Sequence, residues 1–282
     1  LRMLPAFLLA AALLGGCGPR YSLPDPGQGA LAAAQREIAS APPLREHARG
    51  PEEQKAMLRR VATRIAAAAQ VICQAQHGRN CSFRIAYDPS DTVNAYAAGS
   101  DDIAVTAGLL RVVDSDAELA AVVAHEFAHH IARHVAGAQT RTTLGALVGA
   151  ALGAYTGLGD LSGLGAYAGR LAYSKADERE ADYLAAYITA RAGYDLDQAS
   201  GIWVKLAGSG SSRVTAGLLD THPAGPERLA AWGAAAREIA ASPDRMPDWP
   251  GRGDGGAPLR RRSGRLPLLP VEQQLSCAAL SE

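Results

Sequence analysis

Residues 117–136 constrain this chain more than any other stretch. Leu119, Val122, Val123, Phe127 and Ile131 recur at helical spacing, which predicts a helix with a buried face. Ser115 or Asp116 can cap its start, and Gly137 marks its end. Into this apolar helix the sequence sets His125, Glu126 and His129. A helix turns about 100° per residue, so His125 and His129 stand one turn apart on one face. Two imidazoles in that relation can both reach one Zn²⁺ at about 2.0–2.1 Å. Glu126 is offset to the side, where it can take a proton from water on the metal rather than bind the metal itself. A surface helix with stray histidines is the bland alternative, and the apolar stretch around the pattern argues against it.

A zinc that does chemistry needs a third protein ligand and an open position. On a continuous helix His130 is rotated about 100° from His129, and His134 lies about 180° from His125. Both are therefore set aside, and Val135 occupies the place where some zinc proteases carry a third histidine. Glu178 and Asp182, in Ser-Lys-Ala-Asp-Glu-Arg-Glu-Ala-Asp, are again one helical turn apart. A carboxylate at Glu178 can bind the metal while Asp182 accepts an N–H from a ligating histidine. Spacing alone leaves an acidic, solvated helix face equally open, and Glu180 remains a second, less favoured ligand.

The rest of the chain frames this helix. It has 282 residues and a formal net charge of zero, with no basic stripe, which disfavours nucleic acid as a partner. A short helix is expected over 30–40 and a long one from Pro51, with Glu52 and Glu53 in its first turn, to about residue 75. Three short strands are expected at 82–87, 93–97 and 102–106, then further helices at 175–191, 197–207 and 226–240. The fold class is α+β, mainly α, with a small sheet wedged between helices. Residues 142–170 are rich in Gly, Ala and Leu. They read as two small-residue helices packed on or near the site, with a membrane hairpin as the alternative. Beyond Pro243 the chain is rich in Pro, Gly and Arg and reads as a disordered tail over 243–282.

The first residues read as an export signal. Arg2, an apolar run and Leu14-Gly15-Gly16-Cys17 resemble a bacterial lipoprotein signal over 1–16, with Cys17 as the acylated residue. Residues 17–50 then form a lipidated tether and a short helix. Acyl chains would anchor the protein to the periplasmic side of the outer membrane without spanning it. In an oxidising compartment Cys73 and Cys81 are the natural disulfide pair, with two free buried thiols as the alternative. Cys277 has no assigned role.

The strings HEFAHHIARH, YSKADEREADYLAA and THPAGPERL, in that order, resemble the HtpX/BepA/LoiP and CAAX-endopeptidase group of gluzincins, peptidase family M48. The resemblance covers about residues 55–240 and departs locally at Lys175, where the family usually has arginine. It implies a zincin-like domain over 51–242 with one zinc on His125, His129 and Glu178, and Glu126 as the base. It also implies an edge-strand region at Asn94, Ala95 and Tyr96, to which an extended peptide can add. A histidine such as His222, followed by Arg228, lies near the zinc in related proteins. There it either stabilises the oxyanion or blocks the fourth position in a resting state; Tyr173 and Arg228 are alternative oxyanion partners. The implied function is endopeptidase action on envelope proteins, in quality control at the periplasm or outer membrane. A lipid-anchored chaperone or assembly factor with little proteolysis is the alternative, and a purely structural zinc domain is a third.

Overall fold

The computed structural model describes residues 21–97, 102–169, 173–209, 222 and 225–249. Cys17, the signal segment, Cys277 and nearly all of the expected tail lie outside the described residues. The elements in chain order are α1 (Gly27–Ala39), α2 (Pro51–His77), β1 (Arg84–Asp88), β2 (Ala95–Ala97), β3 (Asp102–Thr106), α3 (Ala107–Val112), α4 (Asp116–Ile131), α5 (His134–Thr156), α6 (Ser162–Gly169), α7 (Lys175–Arg191), α8 (Leu196–Gly208) and α9 (Pro226–Ala241).

Helix α4 is the axis of the molecule. The Ser115 hydroxyl accepts from the Glu118 amide, and Asp116 and Glu118 lie in the first turn, so both cap and dipole favour a start here. Every residue from Ala117 to His129 is buried, because α2, α7, α8 and β2 all pack around the helix. Phe127 stacks on Phe83 with ring centroids 4.2 Å apart. A helix apolar on all sides can be stable only in such a wrapped position.

The sheet has the order β1-β3-β2, with β1 parallel and β2 antiparallel to β3. Ile103, Ala104 and Val105 of the middle strand are buried. Straight after it, Gly108 lets α3 approach the 88–94 loop: a Cβ there would meet the Asp91 carbonyl oxygen at 2.3 Å. Strand β1 begins at Arg84, two residues later than the spacing predicts, and β2 is three residues long.

The long helix expected through residue 136 stops at Ile131. Arg133 takes up a left-handed backbone (φ 61°), alone among the described non-glycine residues, and a new helix starts at His134. Helices α5 and α6 then form a hairpin of small residues. A Cβ on Gly165 would fall 1.9 Å from the Gly145 carbonyl oxygen, so the two backbones touch. Leu147, Val148, Leu152, Tyr155, Leu158 and Leu164 of this hairpin are exposed. No helix among the described residues is long and apolar enough to cross a membrane.

Cys73, at the end of α2, is joined to Cys81 just before β1, with Cα atoms 6.0 Å apart. The two ends of the described chain also meet near α2. The Ser22 amide donates to the Asp248 carbonyl at 3.0 Å, and the Tyr21 and Trp249 rings lie 5.4 Å apart.

Candidate metal centre

Two helices and one loop residue build the site. Helix α4 presents His125, Glu126 and His129; α7 presents Glu178 and Asp182, and His222 comes from the segment before α9. Helix α7 is fixed at its start by a reciprocal cap, Ser174 with Asp177, so that Glu178 lies in its first turn against α4. Such a cap is worth about 1 kcal/mol.

The donor atoms converge. His125 Nε2 lies 3.0 Å from His129 Nε2, 3.3 Å from Glu178 Oε2 and 3.3 Å from His222 Nδ1. His129 Nε2 is 3.4 Å and His222 Nδ1 2.9 Å from Glu178 Oε1. Tetrahedral coordination with bonds of about 2.0–2.1 Å places neighbouring ligand atoms about 3.3–3.4 Å apart. These separations are close to the edges of such a tetrahedron, and the nitrogen and carboxylate donors suit zinc. The four side chains are buried, and the cluster can hold a metal ion.

Each donor is oriented from behind. His125 Nδ1 donates to Asp182 Oδ1 at 2.9 Å, the relation that the one-turn spacing of Glu178 and Asp182 suggests. Arg228 donates from Nε and Nη2 to the two oxygens of Asp182, both at 2.7 Å, and its Nη1 stands 2.9 Å from Glu178 Oε2. The Arg228 guanidinium lies over the Trp203 ring, 4.9 Å from its centroid, and Tyr173 stacks on His129 at 4.0 Å.

Burial and charge set the protonation of the group. Burial pulls His125 down, but Glu178 and the hydrogen bond to Asp182 outweigh it and push the imidazole up to about 9. Burial holds His129 well below the ordinary histidine value. Burial is the largest single influence and would raise Glu178 and Asp182, yet Arg228 and His125 together, joined at Glu178 by His222, outweigh it and keep both lowered. Glu126 is raised by burial; neither of its carboxylate oxygens accepts a hydrogen bond among the described residues. His222 Nε2 stands 3.5 Å from Glu126 Oε1.

The structure therefore brings His125, Glu126, His129, Glu178, Asp182, His222 and Arg228 into one cluster. Asn94, Ala95 and Tyr96 lie at β2, which pairs only with β3 among the described residues and packs on α4. The Asn94 backbone is turned inward, since its N–H donates to Thr106 Oγ1 and its carbonyl accepts from the Thr106 amide. The Tyr96 hydroxyl donates to Asp88.

One expectation drawn from helical spacing, the direction of His134, is corrected. An unbroken helix would carry His134 away from the site; the break at Ala132 and Arg133 turns it back, with Nδ1 3.1 Å from His129 Nδ1. Glu180, the less favoured alternative ligand, instead meets His134 Nε2 at 2.9 Å. Trp203 carries no motif, and nothing in the spacing of its helix points to the site.

A buried helix offering two imidazoles and a carboxylate, faced by a carboxylate from a second helix, places this mainly helical fold with a small sheet in the zincin-like class. Residues 52–235, the greater part of the chain, match Peptidase family M48, and the chain belongs to that family. It is 34% identical over 152 residues to the mitochondrial metalloendopeptidase OMA1 of Arabidopsis thaliana, covering 54% of this chain and 31% of the relative. It is 28% identical over 155 residues to the beta-barrel assembly-enhancing protease of Yersinia pestis, covering 50% of this chain and 32% of the relative. The chain thus matches about a third of the length of these curated relatives.

Proposed function

We propose that this chain is a zinc-dependent endopeptidase that cleaves internal peptide bonds of envelope proteins, in quality control at the periplasm or outer membrane. In this reading acyl chains on Cys17 anchor it to the periplasmic side of the outer membrane. The observation that carries the catalytic reading is the convergence of His125, His129 and Glu178 on one point, beside a buried Glu126 carboxylate that accepts no hydrogen bond among the described residues. Family membership supports it, and the names of the two relatives support protease action. The Yersinia pestis relative's name supports envelope substrates.

In this reading His125, His129 and Glu178 hold the metal, while Asp182 and Arg228 hold His125 and Glu178 in place. Zinc bound there supplies a Lewis acid that polarises the scissile carbonyl and acidifies water. Glu126 accepts the proton of the attacking water and returns it to the leaving nitrogen. Its burial-raised carboxyl suits that exchange better than a solvated one. An extended substrate adds along β2, beside Asn94, Ala95 and Tyr96, through the strand's backbone groups that do not face β3.

His222 decides between activity and rest. Its Nδ1 sits with the other three donors, at the corner that a substrate or water must use. That placement favours a resting form, in which cleavage begins when His222 moves away. It equally favours the second reading, a lipid-anchored chaperone or assembly factor with little proteolysis.

Casein cleavage and zinc content of the wild type, Glu126→Gln and His222→Ala test both. Glu126→Gln is expected to keep its zinc and lose cleavage by about 10²–10⁴-fold, and His222→Ala to gain cleavage. Undiminished cleavage by Glu126→Gln refutes the mechanism. Absence of cleavage in the wild type and in His222→Ala, with client binding intact, favours the chaperone.

A further inference from the structure

The two metal-facing histidines of α4 are supported differently. His125 Nδ1 meets a carboxylate directly, whereas His129 Nδ1 meets another imidazole, that of His134, at 3.1 Å. On its far side His134 Nε2 lies 2.9 Å from Glu180 Oε2. His134 is 6% and Glu180 1% exposed, so water does not substitute for either contact.

The protons of this row follow from the ring chemistry. His129 turns Nε2 toward His125 and Glu178; as a metal ligand it would present the Nε2 lone pair there and carry its hydrogen on Nδ1. His134 Nδ1 must then accept, which puts the His134 hydrogen on Nε2, aimed at Glu180. We propose that His134 and Glu180 form a positioning relay, Glu180–His134–His129, that fixes the tautomer and rotation of His129 as a metal ligand. The relay passes the carboxylate's polarisation to that ligand through one intervening ring.

Three further observations point the same way. Arg133 adopts a left-handed backbone immediately before His134, and without that turn an α-helix would carry His134 away from His129. Such a conformation is costly for a residue with a side chain and persists where surrounding contacts hold it. The Tyr173 ring stacks on His129 at 4.0 Å, a packing contact that leaves the Nδ1 edge to His134. Helix α7 supplies both Glu178 and Glu180, so one helix delivers a carboxylate to the donor cluster and another to the back of the same ligand. The inference rests on the metal-centre reading above.

The test is zinc affinity, measured on the full chain by competition with a chromophoric chelator, with the Co²⁺ absorption spectrum as a second readout. Loss of such an outer partner weakens metal binding by about 10–100-fold. His134→Phe keeps the ring volume and removes both hydrogen bonds; it is expected to show that loss and a shifted Co²⁺ band. His134→Gln can accept from His129 and donate to Glu180, and is expected to recover most of the affinity. Glu180→Gln, which keeps an acceptor but not the charge, is expected to fall between, and it stands in if His134→Phe does not fold. Zinc affinity within about twofold of wild type in His134→Phe and Glu180→Gln overturns the relay. So does a loss that His134→Gln leaves unrepaired. Failure of the wild type to bind zinc overturns the metal-centre reading instead.

Discussion

Replacing Arg228 by methionine turns the geometry behind the metal centre into a measurable loss. The replacement keeps an unbranched apolar stem, but the guanidinium and its place over the Trp203 ring are gone. Asp182 then loses two hydrogen bonds of 2.7 Å, and Glu178 loses the cation 2.9 Å from its Oε2. Both carboxylates are buried, at 1% and 2% exposure, and despite burial both are held below their ordinary values by that cation together with the neighbouring His125. Removing one partner of such a buried pair costs about 3–5 kcal/mol, because a charge stays behind without compensation. At about 2–4 °C per kcal/mol for a domain of this size, Tm is expected to fall by about 6–20 °C. The assay is urea and thermal unfolding of the full chain in the presence of chelator. Adding Asp182→Asn removes one stranded charge while its amide oxygen still accepts from His125. The double variant is therefore expected to be more stable than the summed single losses by about 2 kcal/mol. A loss below about 1 kcal/mol, the value of a solvated surface pair, refutes the reasoning.

Two more perturbations probe the frame. Replacing Cys73 and Cys81 together by serine opens a loop with a sequence separation of 8. The denatured chain then gains entropy worth about 2.5 kcal/mol; an unchanged urea midpoint would refute that reading. Gly108→Ala drives a methyl group into the Asp91 and Thr92 carbonyl oxygens. Displacing the loop is expected to cost about 1–3 kcal/mol in urea unfolding, and a change within about 0.5 kcal/mol would show that it yields freely.

How far the site is legible in the sequence depends on which periodicity carries each residue. His125, Glu126 and His129 are readable because they sit in an uninterrupted helical pattern, where angle follows from number. Glu178 and Asp182 obey the same rule on a second helix, but only packing can bring that helix against the first. His134 escapes the rule for a physical reason: the turn that redirects it uses an arginine at positive φ, where glycine or asparagine is the usual signal. Gly137, four residues further on, carries the stop signal at the wrong place. Helical geometry turns Glu180 away from Glu178, yet it cannot name the partner of Glu180 while His134 is taken to face elsewhere. Arg228 enters through resemblance, whereas Trp203, which supports it, belongs to an ordinary apolar stripe.

The hydrogen bond between Ser22 and Asp248 joins the two ends of the described chain, at opposite margins of the sequence yet side by side in space. A module whose entry and exit coincide can be spliced into a longer polypeptide as a closed loop, with little disturbance to either part. Ser22 and Asp248 share one side of the described fold. Joining the ends and opening the chain elsewhere, at the exposed bend between α5 and α6, would then preserve the order of packing. The covalent backbone and the folded unit are, in that sense, separable: where the polypeptide is cut matters less than which surfaces it still brings together.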